Sequence, residues 1–215
     1  FKPLKNPKNP RLRFDAPVEA RKVAKAMILT DKEATNYSLQ IIFPSVRKAE
    51  EVTISDYRNM MIRGMVSDVI NRRLNDLARS SNPPFPYAYA YVGGWARDYE
   101  NLIGFTMFGE DGPEKALMAL TAEMKKAKEF GFNESELELS RKGMMSFIEK
   151  AYNERNTTES SRLIGEYVRN FLENEPIPGI EKEYEYYKKY LPGITKEELH
   201  AEVKKLMSNM NYFVL

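Results

Sequence analysis

The order of strand-like and helix-like segments is the feature that most constrains the fold of this chain. Residues 20–29 and 36–43 predict two strands, residues 86–96 and 98–108 predict a β-hairpin, and residues 211–215 predict a last strand. One helix signal lies between the first strand pair and the hairpin, and five follow the hairpin. The order β-β-α-β-β-α-α-α-α-α-β predicts an α+β fold, with helices packed on one face of a mostly antiparallel sheet.

The helix signals rest on local capping chemistry and on apolar residues spaced three or four apart. Thr53 and Asp56 have the capping-box spacing and predict a helix that runs to about Arg79, where Asn82-Pro83-Pro84 stops it. The other predicted helices begin near Pro113, Asn133 and Thr195, or are marked by apolar positions over 163–172 and 180–191.

The N-terminal segment differs from the rest in composition. Residues 1–17 contain four prolines, which disfavour helix, and we predict an interdomain linker there, followed by a single domain over 18–215. Eight basic and two acidic residues over 1–25 leave a basic interaction arm as an alternative, but a solvated linker is the favoured interpretation.

Composition excludes several classes of function. With 33 Lys+Arg against 31 Asp+Glu, the net charge of +2 excludes a nucleic-acid binder that works through bulk positive charge. The longest apolar run has six residues, 87–92, far short of the ~20 that cross a bilayer, so no membrane span is expected. The absence of cysteine excludes disulfides, thiolate nucleophiles and cysteine-ligated metals.

Few residues suggest catalytic chemistry. Because His200 is the single histidine, a two-histidine zinc site is excluded. If His200 pairs with Glu197, it could act as a base or a ligand. We interpret it instead as a residue of a charged helix surface. Acidic residues such as Glu134, Glu136 and Glu138 stand at a helix start, where the helix dipole already favours them. We therefore assign no catalytic and no metal-ligating residue in this chain.

The hairpin carries the most distinctive surface pattern. Tyr87, Tyr89 and Tyr91 alternate with Ala88 and Ala90, so that the three rings share one sheet face and the alanines the other. If the tyrosine face is open, it could grip a peptide or a carbohydrate; if helices cover it, the rings are core. The small alanines indicate that their own face is the tightly packed one.

Several segments together resemble the pitrilysin/insulinase-type zinc metallopeptidases, whose active form carries an inverted His-x-x-Glu-His motif. The resemblance is collinear over nearly the whole chain, and no single segment is diagnostic. The matching segments are residues 3–7, 29–35, 71–79, 83–85, 129–132, 136–137, 174–181 and 191–195.

The resemblance also indicates which domain of such a peptidase this is. The first, catalytic domain is excluded because His-x-x-Glu-His is missing. The last domain of the family offers an Arg followed by a Tyr about seven residues later, after a glycine-containing turn, to steady the oxyanion. Here Tyr87 follows Arg79 by eight residues, across a turn without glycine. The pattern is similar to the second, non-catalytic domain, with Arg79, Tyr87, Tyr89 and Tyr91 as candidate substrate-chamber residues.

The resemblance implies a parent zinc metalloendopeptidase that encloses peptide substrates in a chamber, with zinc in its catalytic domain and no cofactor in this chain. The implied partners are the catalytic and C-terminal-half domains of the same polypeptide and the peptide substrate. The bacterial cell envelope or periplasm is favoured over the cytoplasm, and the isolated chain is expected to be inactive. One alternative is a stand-alone scaffold or partner subunit of the same fold, and another is a small carbohydrate- or peptide-binding module that uses the tyrosine row.

Overall fold

The computed structural model describes residues 5, 7–11, 23, 26–27, 32–33, 37–47, 52–94, 99–109, 112–208 and 212–215. The chain divides into two compact units, Phe1–Glu33 and Ala34–Leu215. In the first unit the described residues form bends, a turn and irregular backbone, and all are exposed. The predicted linker over 1–17 and the predicted strand over 20–29 fall largely outside the described residues, so both stay predictions.

The second unit is built on an antiparallel sheet. Its described strands are β1 (Ser38–Arg47), β2 (Tyr87–Gly93), β3 (Tyr99–Met107) and β4 (Phe213–Val214), in the spatial order β2-β3-β1-β4. β2 and β3 form the predicted hairpin, and β3 pairs along β1 with one irregularity between Phe43 and Val46. The short β4 pairs with the middle of β1, which places the C-terminal residues beside the N-terminal strand of the sheet.

The described residues of the second unit contain six helices. They are α1 (Ile54–Ala78), α2 (Pro113–Phe130), α3 (Glu134–Asn153), α4 (Ser160–Glu173), α5 (Ile180–Tyr190) and α6 (Lys196–Leu206), with 3₁₀ turns at Arg155–Thr157 and Leu191–Gly193. None of the helices in the described ranges combines the length and the apolar character needed to cross a membrane. The α+β class and the one-sided packing predicted from the sequence are confirmed.

Local sequence sets the helix starts as predicted. The side chains of Thr53, Asn133 and Thr195 each accept a hydrogen bond from the backbone N–H three residues on, and the acid at that position bonds back to the capping residue. Each reciprocal pair satisfies two backbone donors that the helix itself leaves unpaired. These caps are purely local, which is why the sequence alone located them.

The core lies between the inner face of the sheet and the helices α1, α2 and α6. α1 buries one continuous apolar stripe, and the sheet contributes alternate residues of its three long strands. Each fully buried aliphatic side chain contributes roughly 1.5–3 kcal/mol relative to an exposed one. The buried α1 residues are Met61, Ile62, Met65, Val66, Val69, Ile70 and Leu74, and the sheet contributes Leu39, Ile41, Phe43, Ala88, Ala90 and Leu102.

Two bidentate ion pairs fix helices that are distant in sequence. Arg73 of α1 donates to both carboxylate oxygens of Glu136 at 2.6 and 2.7 Å and to the Gly131 carbonyl at 3.0 Å. Arg58 donates to both oxygens of Glu198 at 2.5 and 2.9 Å. Because both acids also cap helices, each pair holds a helix start against α1.

Candidate functional site

The tyrosine row lies on the sheet face opposite the helix-covered core. Ala88 and Ala90 point inward and are 2% and 0% exposed, whereas Tyr87 and Tyr91 are 50% and 40% exposed. The alternation along β2 therefore places the alanines against α1 and the rings on the outer face, as the small size of the alanines indicated.

The rings form a continuous aromatic ladder with neighbours on β3. Tyr89 stacks on Tyr91 with ring centroids 5.8 Å apart and on Phe105, directly opposite on β3, at 5.0 Å. Tyr87 tilts against Tyr89 at 5.7 Å and lies opposite Met107. We call Tyr87, Tyr89, Tyr91, Phe105 and Met107 the aromatic sheet face. Cross-strand aromatic pairs of this kind hold one another in place, so the surface is rigid before any ligand arrives.

The surroundings of Tyr89 favour its neutral phenol. Burial against the neighbouring rings, followed by the proximity of Tyr91 and Tyr87, raises the pKa of Tyr89 above its usual value. A neutral phenol can donate and accept a hydrogen bond while its ring offers a flat apolar surface. The arrangement is suited to holding an extended chain of mixed polarity, and it provides no activated nucleophile or base.

Side chains of α1 form hydrogen bonds with the outer edge of β2, the edge that faces away from β3. The Asn71 side-chain amide donates to the Ala90 carbonyl at 2.9 Å and accepts from the Ala90 N–H at 2.6 Å. Ser67 accepts from the Val92 N–H at 3.2 Å. These bonds satisfy backbone groups that a sheet edge otherwise offers to an added strand. Peptide addition along this part of β2 would have to displace them.

Arg79 does not form the pair with Tyr87 that the family pattern would suggest. It is exposed at the C-cap of α1, where its backbone N–H donates to the Asn75 carbonyl at 3.1 Å. Within the described ranges, no hydrogen bond or ion pair joins its guanidinium to Tyr87. Phe85, buried between the two residues in sequence, anchors the turn that separates the end of α1 from β2. The structure brings the three tyrosines together without assigning Arg79 to them.

His200 has a structural environment that does not fit a zinc ligand. Its Nε2 lies 2.8 Å from the Lys128 carbonyl near the end of α2, and its ring is half-buried against Gly131. It thus joins α6 to α2 instead of pairing with Glu197. In the part of the chain that the structure describes, no cluster of three or more His, Asp or Glu side chains could hold a metal ion. With one histidine and no cysteine, the sequence excludes two-histidine and cysteine-ligated zinc sites.

No protein-family model matches the chain. Over 193 residues, 90% of the chain, it is 28% identical to a "Zinc protease PQQL-like" protein of Arabidopsis thaliana, and over 92% it is 22% identical to the "Probable zinc protease PqqL" of Escherichia coli strain K12. The chain is thus similar to domains of insulinase-type, PqqL-like (M16) zinc proteases. It spans only 17% and 21% of the lengths of those two relatives.

Solved structures agree with the fold of the chain. It superposes on the first half of the periplasmic protease PqqL from Escherichia coli with a TM-score of 0.78 and 20% identity, covering 86% of this chain and 40% of that one. It also matches a structure described as a peptidase M16 inactive domain from Pseudomonas fluorescens, with a TM-score of 0.61 and 10% identity over 82% and 39% of the two chains. The resemblance stated from the sequence and the fold that it implies are confirmed.

Sequence reasoning missed the β3 and α1 contributions to this site. Phe105 and Met107 could have been found, because they alternate with buried residues along β3 just as the tyrosines do along β2. The bonds from Asn71 and Ser67 to β2 leave no sequence signal, since they depend on how α1 crosses the sheet edge.

Proposed function

We propose that this chain is a non-catalytic domain of a larger, insulinase-type zinc metallopeptidase, in which the aromatic sheet face forms part of the wall that contacts peptide substrate. The observation that carries the proposal is the rigid, half-exposed tyrosine row on the face opposite the helices. Its likeness to domains described as inactive, and the use of its single histidine between two helices, support a non-catalytic role.

The geometry suggests how a peptide would be held. The blocked edge at Ala90 and Val92 disfavours strand addition, so a peptide would lie across the rings of the ladder. Tyrosine loses little side-chain entropy on binding because only two torsions are fixed, and the stacking with Phe105 has already fixed those of Tyr89. Zinc and its polarised water would be supplied by another domain of the parent polypeptide.

We propose the bacterial cell envelope as the compartment of the parent protein. The support is the likeness to PqqL of Escherichia coli, which is described as a periplasmic protease. The absence of cysteine in this chain is compatible with either an oxidising or a reducing compartment.

One experiment tests the non-catalytic role directly. The purified chain is dialysed against zinc, its metal content is measured by elemental analysis, and hydrolysis of a quenched-fluorescence peptide library is followed. We expect substoichiometric zinc and no zinc-dependent cleavage. Stoichiometric zinc together with zinc-dependent cleavage would refute the proposal.

Reading the coding sequence upstream of Phe1 separates the alternatives: an in-frame His-x-x-Glu-His motif supports a peptidase parent, whereas a start codon directly upstream supports a stand-alone scaffold.

A second experiment tests the peptide-contacting face in the parent protein. Tyr87→Ala and Tyr89→Ala each remove one ring of the ladder, and Phe130→Ala, an 83% exposed aromatic at the end of α2, serves as the control. We expect KM for peptides to rise about 2- to 10-fold with kcat unchanged, because a ring contact contributes about 0.5–1.5 kcal/mol. Unchanged KM in both tyrosine variants, or an equal rise in the Phe130→Ala control, would count against a role for this face.

A further inference from the structure

The helix α4 presents its apolar side outward. Not one of its 14 residues is buried, although its sequence carries a full amphipathic stripe. We call Leu163, Ile164, Tyr167, Val168 and Phe171 the outward stripe; their exposed fractions run from 39% for Leu163 to 85% for Phe171. At 3.6 residues per turn these five positions share one side of the helix.

The side of α4 opposite the stripe is polar, and most of its residues are exposed as well. Gly165 and Glu166 are the only half-buried residues of the helix. Arg169 pairs with Glu175 of the following loop at 2.9 Å. The carboxyl of Glu183 on α5 has its pKa raised by burial and then by the charges of Glu166 and Glu175, which places the acidic side of α4 near α5. The helix is therefore attached through polar groups and shows its apolar groups to solvent.

A helix of this length needs a covering surface to be stable. Isolated helices shorter than about 12–15 residues are marginal in water, and most helical stability in proteins comes from packing an apolar face. With side chains of roughly 150–250 Å² each, the outward stripe offers on the order of 500 Å² of contiguous apolar surface, as large as the biggest patches on ordinary monomers.

We propose that the outward stripe of α4 is an interface with another domain of the same, longer polypeptide. This rests on the proposed placement of the chain within a larger peptidase. The relatives extend far beyond the aligned region, and the first half of PqqL alone is about two and a half times as long as the part that this domain covers.

The size and charge of the outward stripe favour another domain of the same polypeptide over a second copy of the chain or a lipid surface. About 500 Å² per side, or ~1,000 Å² in total, lies within the ~600–1,500 Å² of contacts between domains of one chain and below the ~1,600 Å² of a standard stable dimer. A neighbour on the same chain also avoids most of the entropy cost of association. The charged residues of α4 are Arg162, Glu166, Arg169 and Glu173, which cancel, so the helix has no net attraction to an anionic lipid surface.

Amide hydrogen exchange of α4 tests the proposal without reference to catalysis. Exchange over Ser160–Glu173 is compared between this chain alone and the full parent polypeptide. We expect α4 to exchange at least about tenfold more slowly in the parent, while α1 is unchanged. Equal exchange of α4 in the two contexts overturns the proposal. A parent that lacks peptidase activity or zinc leaves this readout intact, so failure of the proposed function is recognised separately.

Variants identify the surface and the occupant. The double variant Ile164→Glu/Phe171→Glu is expected to abolish the slowing in the parent, and Leu139→Glu, at a 53% exposed position on α3, is expected to preserve it. Slowing that survives the double variant contradicts the proposal.

Sedimentation of the isolated chain over increasing concentration tests a second copy, and flotation with phosphatidylcholine vesicles tests a lipid surface. Dimerisation or vesicle binding that the double variant abolishes assigns the stripe to that occupant instead.

Discussion

Gly131 ends α2 in a backbone conformation that an alanine adopts only under strain. It also packs directly against the side chain of His200. Its φ is +71° and its ψ −143°, and a Cβ built there would lie 2.9 Å from Cγ of His200. The Gly131 carbonyl also accepts from Arg73, so the loop is held on both sides. We therefore expect Gly131→Ala to be among the most destabilising small substitutions in the domain.

The magnitude has two parts. The strained backbone costs roughly 1–3 kcal/mol, and forcing a methyl group into the packed contact with His200 adds roughly another 1–3 kcal/mol. The expected loss of unfolding free energy is thus about 2–6 kcal/mol, against the roughly 5–15 kcal/mol that keeps a typical domain folded.

Gly112 provides the matched control. It stands at the other end of α2 with a φ of +86° and a ψ of 172°, but a Cβ there would meet nothing within 4 Å. Gly112→Ala should therefore cost only the backbone part, about 1–3 kcal/mol. The difference between the two alanine variants isolates the steric contact with His200.

Urea denaturation followed by circular dichroism measures these differences in a double-mutant cycle. His200→Ala alone should cost about 1 kcal/mol for its bond to the Lys128 carbonyl, and in that background Gly131→Ala should become about 1–2 kcal/mol less harmful. Equal costs at Gly131 and Gly112, or additive effects of the Gly131 and His200 changes, would show that the contact with His200 does not limit this position.

Two further predictions concern the caps and ion pairs. Burial raises the pKa of Glu136, but the hydrogen bonds from Arg73 and Asn133 outweigh it and hold the pKa below the ordinary 4.5. Glu136→Gln should therefore lower the free energy of unfolding by on the order of 1–2 kcal/mol at pH 7. This difference from the native chain should shrink as the pH falls below about 4.5. A difference in urea midpoints that does not change with pH would refute the linkage. Thr53→Ala removes the acceptor for the Asp56 N–H and should cost about 1 kcal/mol, whereas Thr53→Asn should nearly restore it in the same assay.

Much of the fold could be predicted because the signals are local. The capping residues Thr53, Asn133 and Thr195 satisfy donors within their own first turn, so the helix starts need no tertiary information. The tyrosine–alanine alternation likewise fixes which side chains share a face of β2, whatever the sheet packs against.

The candidate site was only partly predictable from the sequence. Alternation placed the three tyrosines together, but Phe105 joins them through the register of β3, which no local pattern specifies. Arg79 follows the family spacing closely enough to be selected, and the structure leaves it exposed at the end of α1.

The sequence by itself excluded two-histidine and cysteine-ligated zinc sites, since one histidine and no cysteine are facts of composition. It also determined the existence and phase of α4 through the spacing of its apolar residues. Only the tertiary structure decided which way that stripe faces. Periodicity shows that a helix has an apolar side, but whether its own domain covers that side depends on residues distant in sequence. Here Glu166 and Arg169 lie on the opposite, polar side, and Phe171 is left exposed.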